Sequence, residues 1–129
     1  MTQMPKLFTP LSIKDVTLPN RIVIAPMCQY SAKDGWFGDW HFANFSMYAL
    51  GRPGAISLEA TAVEVIGRIT HGCIGLWDDA RAAAIKPVVD FMKGQGVVAG
   101  IQLGHAGRKA SIQRPWHGNG ALDETDAAR

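Results

Sequence analysis

No run of apolar residues in this chain approaches the roughly 20 that a membrane-crossing helix needs. Charge of one sign is also scarce: over 129 residues the net charge is +2, and 19% of residues are charged. The basic residues are scattered, which argues against the dense positive face of a nucleic-acid-binding module. Cysteine is reduced to Cys28 and Cys73, too few for the disulfide framework of a small secreted domain. The first ten residues hold Pro5 and Pro10 and no apolar core, so they do not read as a signal peptide. These absences point to a reduced, cytoplasmic setting, with neither a membrane nor a nucleic acid as partner. What the chain has in quantity is apolar sequence, 47% of it, the proportion of an ordinary globular protein.

That apolar content falls into alternating runs. Leu7 to Thr17, broken by Pro10 and Lys14-Asp15, suits a small β-hairpin or irregular cap. Arg21 to Met27 is β-branched and apolar and reads as a buried strand. It breaks at Pro26 and delivers a thiol, an amide and a phenol in Cys28-Gln29-Tyr30. After a Gly-containing loop, Trp40 to Leu50 places Phe42, Phe45 and Ala49 on one helical face, with Asp39 as its cap. Ala55 to Val65 is a second strand. Gly67 to Leu76 has three glycines and no period, so it reads as a loop. A helix is most secure over Lys86 to Met92, with a stripe of Ile85, Val88, Val89 and Met92 and with Pro87 in its first turn. A start near Asp79 would instead place Pro87 inside the helix, where it should kink it. Val97 to Leu103 is a third strand. From Gly104 to Arg129 no regular element is expected.

Strand, helix, strand, helix, strand in units of about forty residues argues for parallel strands with right-handed crossovers. The unit length suits a (β/α)8 barrel, and a doubly wound open sheet is the competing arrangement. Three parallel strands leave edges and one face uncovered, so the chain reads as part of a larger domain.

In either arrangement chemistry gathers at the carboxyl ends of the strands. The first supplies Cys28, Gln29 and Tyr30, the second Glu59, Ala60 and Thr61, the third Gln102 and then His105. Cys28 suits a nucleophile, a ligand or a tuning group, against the commoner fate of an inert buried thiol. Tyr30 suits a rim residue or a proton donor. Gln102, an amide inside an apolar strand, needs partners at both ends, which a bound polar ligand or neighbouring backbone would supply. His41 reads as a satisfied structural histidine. His71 and Cys73 are too few for a zinc site, so no metal is expected. Gly104 to Lys109 suits an anion cradle, or equally a tight turn with Arg108 in an ion pair.

Taken together, several segments resemble the Old Yellow Enzyme family of NADH:flavin oxidoreductases. They are Pro26-Met27-Cys28-Gln29-Tyr30, Glu59-Ala60-Thr61-Ala62-Val63, Gly67-Arg68-Ile69-Thr70 and Gln102-Leu103-Gly104-His105-Ala106-Gly107-Arg108-Lys109-Ala110. Leu7-Phe8-x-Pro10 and Leu18-x-Asn20-Arg21-Ile22 fit too, and Arg114-Pro115-Trp116 leans toward the bacterial xenobiotic reductase A branch. The resemblance implies the N-terminal part, about three βα units, of a (β/α)8 barrel that holds FMN. It implies that NADPH or NADH reduces the flavin and that an activated alkene then takes a hydride, in ping-pong order. It implies that Pro26 and Met27 line the flavin, that Cys28 tunes its N5/O4 edge, and that Ala60 and Gln102 meet its pyrimidine. Tyr30 would orient the substrate or assist proton delivery. The full-length protein is expected to be a homo-oligomer. A histidine pair that anchors substrate, and the phosphate site, are expected beyond Arg129. Gly51-Arg52-Pro53-Gly54 replaces a more usual Gly-Gly turn, with packing consequences only. The alternatives are a remnant without catalysis of its own, or a related flavin barrel such as a dienoyl-CoA reductase.

Overall fold

The computed structural model describes residues 4–122. The chain opens with a hairpin of β1 (Leu11–Ile13) and β2 (Val16–Leu18), turned at Lys14, whose φ is +51°. β3 (Val23–Ile24) follows, then α1 (Asp39–Leu50), β4 (Ala55–Ala62), α2 (Asp79–Gly94) and β5 (Val98–Gly104). β3, β4 and β5 form one parallel sheet in that order, as the alternation of elements predicts. Among the described residues no helix is long and apolar enough to cross a membrane.

Both helices lie on one face of the sheet. Phe45 and Ala49 of α1, Ile56 and Leu58 of β4, and Ile85, Val88 and Met92 of α2 form one buried cluster, closed by Val97. Burying side chains of this size stabilises by roughly 1.5–3 kcal/mol each. The α1 stripe is corrected in one place. His41, not Phe42, is buried beside Phe45; Phe42 is 38% exposed and packs against Phe91 of α2. Asp39 also yields the cap to Gly38, whose N–H donates to His41 Nδ1 at 3.2 Å. His41 is therefore satisfied at only one nitrogen: Nε2 is buried with no partner among the described residues, and burial pushes its pKa down.

The first strand is much shorter than Arg21 to Met27. Only Val23 and Ile24 pair with β4, opposite Ala55 and Ile56. Residues 25–31 run on outside any ladder, and Val23 (55%) and Met27 (49%) are exposed. Pro26 cannot donate a ladder hydrogen bond, and a β3 at the sheet edge has a neighbour on one side only. α2, in turn, is longer than its secure core. Asp78 caps it by accepting the Arg81 N–H at 2.8 Å, so the helix begins at Asp79 and carries Pro87 inside it. The loop from Gly67 is also more than a connection. Thr70, Cys73 and Ile74 are buried in it, and Gly75 bridges to Ala62 in parallel. Beyond Gly104 there are two short 3-10 turns, Gly107–Lys109 and Pro115–His117. Ile112 adds isolated bridges to Thr70 and Ala121; residues 123–129 lie outside the described part.

Pro87 supplies no N–H to the carbonyl four residues earlier, a cost of up to about 3 kcal/mol in a helix interior. Pro87→Ala, at an exposed position, is expected to raise unfolding free energy by about 1–2 kcal/mol, allowing for the looser unfolded chain. Denaturant melts of the two proteins check it. An unchanged or lowered stability would show that the ring is compensated by packing.

Candidate functional site

Three features of the backbone bring the polar groups together. The first is a bulge in β4. Leu58 is opposite Ile101 and Ala60 is opposite Gln102, so Glu59 has no partner in the ladder. An extra residue shifts the alternation of side chains by one. Leu58 and Glu59 are consequently both buried, and Ala60 comes to the open face. In β5, Ala99 and Ile101 pack against the core cluster, so Gln102 lies on the opposite face, beside Ala60. Its amide is exposed and has no hydrogen bond among the described residues.

The second feature is the tether on residues 25–31. Glu59 is 0% exposed, and its Oε2 accepts the backbone N–H of Gln29 at 3.0 Å. The Gln29 side chain donates to the Met27 carbonyl at 3.0 Å and accepts from Trp40 Nε1 at 3.4 Å. Tyr30 sits at φ +51°, a left-handed conformation uncommon for a bulky residue. The third feature is the buried loop. Ala32 N–H donates to the Gly72 carbonyl at 2.9 Å. A Cβ on Gly72 would lie 2.3 Å from the Tyr30 carbonyl oxygen, so only glycine allows this approach.

These constraints make one contiguous cluster. Cys28 lies close enough to Cys73 and Tyr30 for the three groups to influence one another's ionisation. Cys73 also receives the Thr70 N–H at 3.4 Å and meets Thr70 Oγ1 at 3.6 Å. The neighbouring Cys73, together with burial, pushes the Cys28 thiol well up, so it is a protonated S–H. The neighbouring Cys28, helped by the hydrogen bonds from Thr70, draws Cys73 down. Burial raises Tyr30, and raises Glu59 to about 7 despite the Gln29 N–H. A neutral carboxyl explains why Glu59 Oε1 can be buried without a partner among the described residues.

Beside the cluster, at the carboxyl ends of β4 and β5, is a cavity of about 190 Å³ lined by Ala60, Gly67, Ile69, Cys73, Gln102 and His105, among others. Of the residues picked out from sequence, Ala60 and Gln102 line it. Cys28 and Tyr30 do not line it, and Pro26 and Met27 lie on the exposed edge. The turn at Gly107–Lys109 forms as a turn: Gly107 N–H donates to His105 Nδ1 at 3.0 Å, and Arg108 has no ion pair among the described residues.

Residues 6–129 match the family model described as NADH:flavin oxidoreductase / NADH oxidase. The chain belongs to that family. It is 49% identical over 111 residues to an NADH:flavin oxidoreductase from Gibberella zeae, covering 86% of this chain and 27% of that protein. It is 52% identical over 111 residues to an NADPH dehydrogenase from Listeria welshimeri, covering 84% of this chain and 33% of that protein. Among solved structures, morphinone reductase superposes with a TM-score of 0.75 at 33% identity, over 82% of this chain and 28% of that one. The chain thus spans about a third of the length of the curated relatives it matches. Its fold is the N-terminal part, about three βα units, of the (β/α)8 barrel of the Old Yellow Enzymes.

Within this family member, two residues carry more than the sequence suggested. Glu59 is the one charged residue in an otherwise apolar or small β4, and that isolation is the signal that marks it. Cys73, set aside with His71 as an incomplete metal pair, is instead buried in the loop, takes the Thr70 N–H and lines the cavity.

Glu59 yields a pH prediction. Its folded pKa lies above its ordinary value of 4.5, so the folded state holds the proton longer than the unfolded one. The carboxyl therefore costs nothing below about pH 4.5, and its cost is complete above about 7. The span corresponds to on the order of 3 kcal/mol. Melting temperature against pH for wild type and Glu59→Gln checks it. Wild type is expected to lose stability relative to the variant as pH rises through that window, and parallel curves would contradict the assignment.

Proposed function

We propose that this chain forms one wall of the FMN site of an NAD(P)H-dependent ene-reductase. The observation that carries the reading is the Gln102 amide. It stands exposed and unpartnered among the described residues, on the open face at the carboxyl end of a parallel barrel sheet, beside Ala60. A primary amide both donates and accepts, which suits the alternating N–H and C=O groups of a flavin pyrimidine. The cavity, at about 190 Å³, is smaller than the roughly 300–1,000 Å³ of a whole ligand pocket. That fits one wall of a site whose other walls would come from further barrel units.

Bound FMN would supply the hydride chemistry, between NADPH or NADH and an activated alkene such as an unsaturated carbonyl or nitro compound. The chain's own residues bind and orient. Gln102 holds the pyrimidine edge. Ala60 offers a small surface that lets a planar ring approach. Pro26 and Met27 present apolar surface on the edge segment. Cys28 remains a protonated thiol, which disfavours a nucleophile and favours a neutral neighbour that adjusts potential. Tyr30, kept protonated by burial, is available to orient a substrate or pass it a proton. We assign the substrate class to small activated alkenes and the active form to a homo-oligomer.

In the full-length protein, Gln102→Ala is expected to weaken FMN retention at least about tenfold, the value of one to two hydrogen bonds to a polar ring. Cys28→Ala should retain FMN but shift its midpoint potential. Flavin fluorescence on dilution and spectroelectrochemical titration read the two effects. Full retention in Gln102→Ala, or an unmoved potential in Cys28→Ala, would count against the corresponding role. Anaerobic mixing with NADPH and then with 2-cyclohexenone should bleach the flavin and then restore its colour; failure of either phase would remove the reductase assignment.

A further inference from the structure

Two aromatic rings far apart in sequence meet outside the sheet. Tyr30 follows β3 and Trp116 stands in the Pro115–His117 turn, yet their ring centroids are 6.1 Å apart, with the planes 74° from parallel. We propose that Tyr30 and Trp116 form an aromatic corner that selects activated alkenes carrying a flat ring, with Trp116 as the specificity-determining residue. The assignment rests on Tyr30 facing the substrate of the reductase proposed above.

The turn that carries Trp116 is the tip of a small arch. Its arms meet where Ile112 bridges Ala121, and they are closed by the Gln113 N–H on the Gly120 carbonyl at 2.7 Å and the Leu122 N–H on the Ser111 carbonyl at 3.0 Å. The base of the arch is fastened to the buried loop: the Ser111 N–H donates to the Arg68 carbonyl at 3.2 Å and the Ile112 N–H to the Ile69 carbonyl at 3.0 Å. Arg114 ties the tip to the Tyr30 segment. Its Nη2 donates to the Ala32 carbonyl at 3.3 Å, and its guanidinium lies 6.0 Å from the Trp116 ring centroid, close enough for a cation–π contact. A Cβ on Gly72 would lie 2.6 Å from Arg114 Nε, so the glycine keeps the path of that side chain clear.

So much support for one side chain does not bury it. Trp116 is 60% exposed although its backbone is held at both ends and its ring is steadied by an arginine and a tyrosine. An indole presented in this way offers a large, rigid apolar surface to a second flat group, and edge-to-face contact with such a group adds to the area it buries. Two rings set near a right angle give a corner, in which a flat group lying on one ring meets the other. The corner also has a polar end in the Tyr30 hydroxyl. A carbonyl or nitro group fits that end, and an aryl substituent on the alkene fits the indole. Neither ring lines the cavity beside Gln102, so the corner and a flavin held there do not compete for space.

Two matched ketones test it on the full-length protein: benzalacetone, with a phenyl group on the β carbon, and 3-penten-2-one, with a methyl group there. Calorimetry without a reduced nicotinamide reads binding of each ketone with no turnover, and NADPH oxidation then reads kcat/KM for both. Wild type is expected to prefer benzalacetone by either measure. Trp116→Ala should cut that preference about tenfold, the order of one aromatic contact, and Trp116→Phe should keep most of it. A wild type without the preference, an equal loss for both ketones in Trp116→Ala, or a Trp116→Phe variant no better than Trp116→Ala overturns the proposal. Turnover of 3-penten-2-one by wild type reports on the reductase reading separately. Turnover with an unchanged preference in Trp116→Ala removes the corner alone, whereas no turnover of either ketone removes the reductase reading and leaves the binding preference to decide the corner.

Discussion

The hydrogen bond from the Gln29 backbone to Glu59 is the constraint on which the site depends. β3 is paired through Val23 and Ile24 only. Everything after it, including Pro26, Met27, Cys28 and Tyr30, would be an unpaired edge without a second attachment. Glu59 supplies it from within the sheet, at 3.0 Å and at full burial. A buried carboxyl is costly, and the protein lowers that cost by keeping the group about half protonated near pH 7 and by giving one oxygen a backbone partner. What is gained is a fixed position for the thiol and the phenol.

The bulge makes that carboxyl possible. Without an extra residue between Leu58 and Ala60, strict alternation would put Glu59 on the face opposite Leu58 and Ala60 toward the helices. With it, one face keeps Ile56, Leu58, Ala99 and Ile101 against α1 and α2. The other presents Ala60 and Gln102 at the carboxyl end, where barrel sites are built. A single irregularity therefore divides structural from chemical side chains.

Much of this was legible in the sequence, and the misses have physical causes. The β5 run fell within a residue of its observed bounds and the α2 stripe from Ile85 to Met92 lies in the helix, whereas β4 starts at Ala55 as expected but ends at Ala62, three residues short of Val65. The parallel order followed from their alternation. Arg21 to Met27 looked buried because its residues are apolar, but apolarity does not say whether a strand has neighbours on both sides. A start near Asp79 seemed disfavoured by Pro87, although a helix capped by Asp78 and packed against the sheet tolerates an interior proline. In the site, Ala60 and Gln102 were visible as polar or small positions at strand ends. The burial of Cys73 was not, because a loop without hydrophobic period gives no sign that it folds back into the core. The bulge was equally hidden, since it depends on pairing with β5.

Titration of FMN-depleted full-length protein with FMN, followed by quenching of flavin fluorescence, tests most directly whether the ends of β3, β4 and β5 are a flavin wall. Saturable quenching at one FMN per chain is the expected result. Quenching that never saturates, or flavin that stays fully fluorescent at every protein concentration, would contradict the assignment.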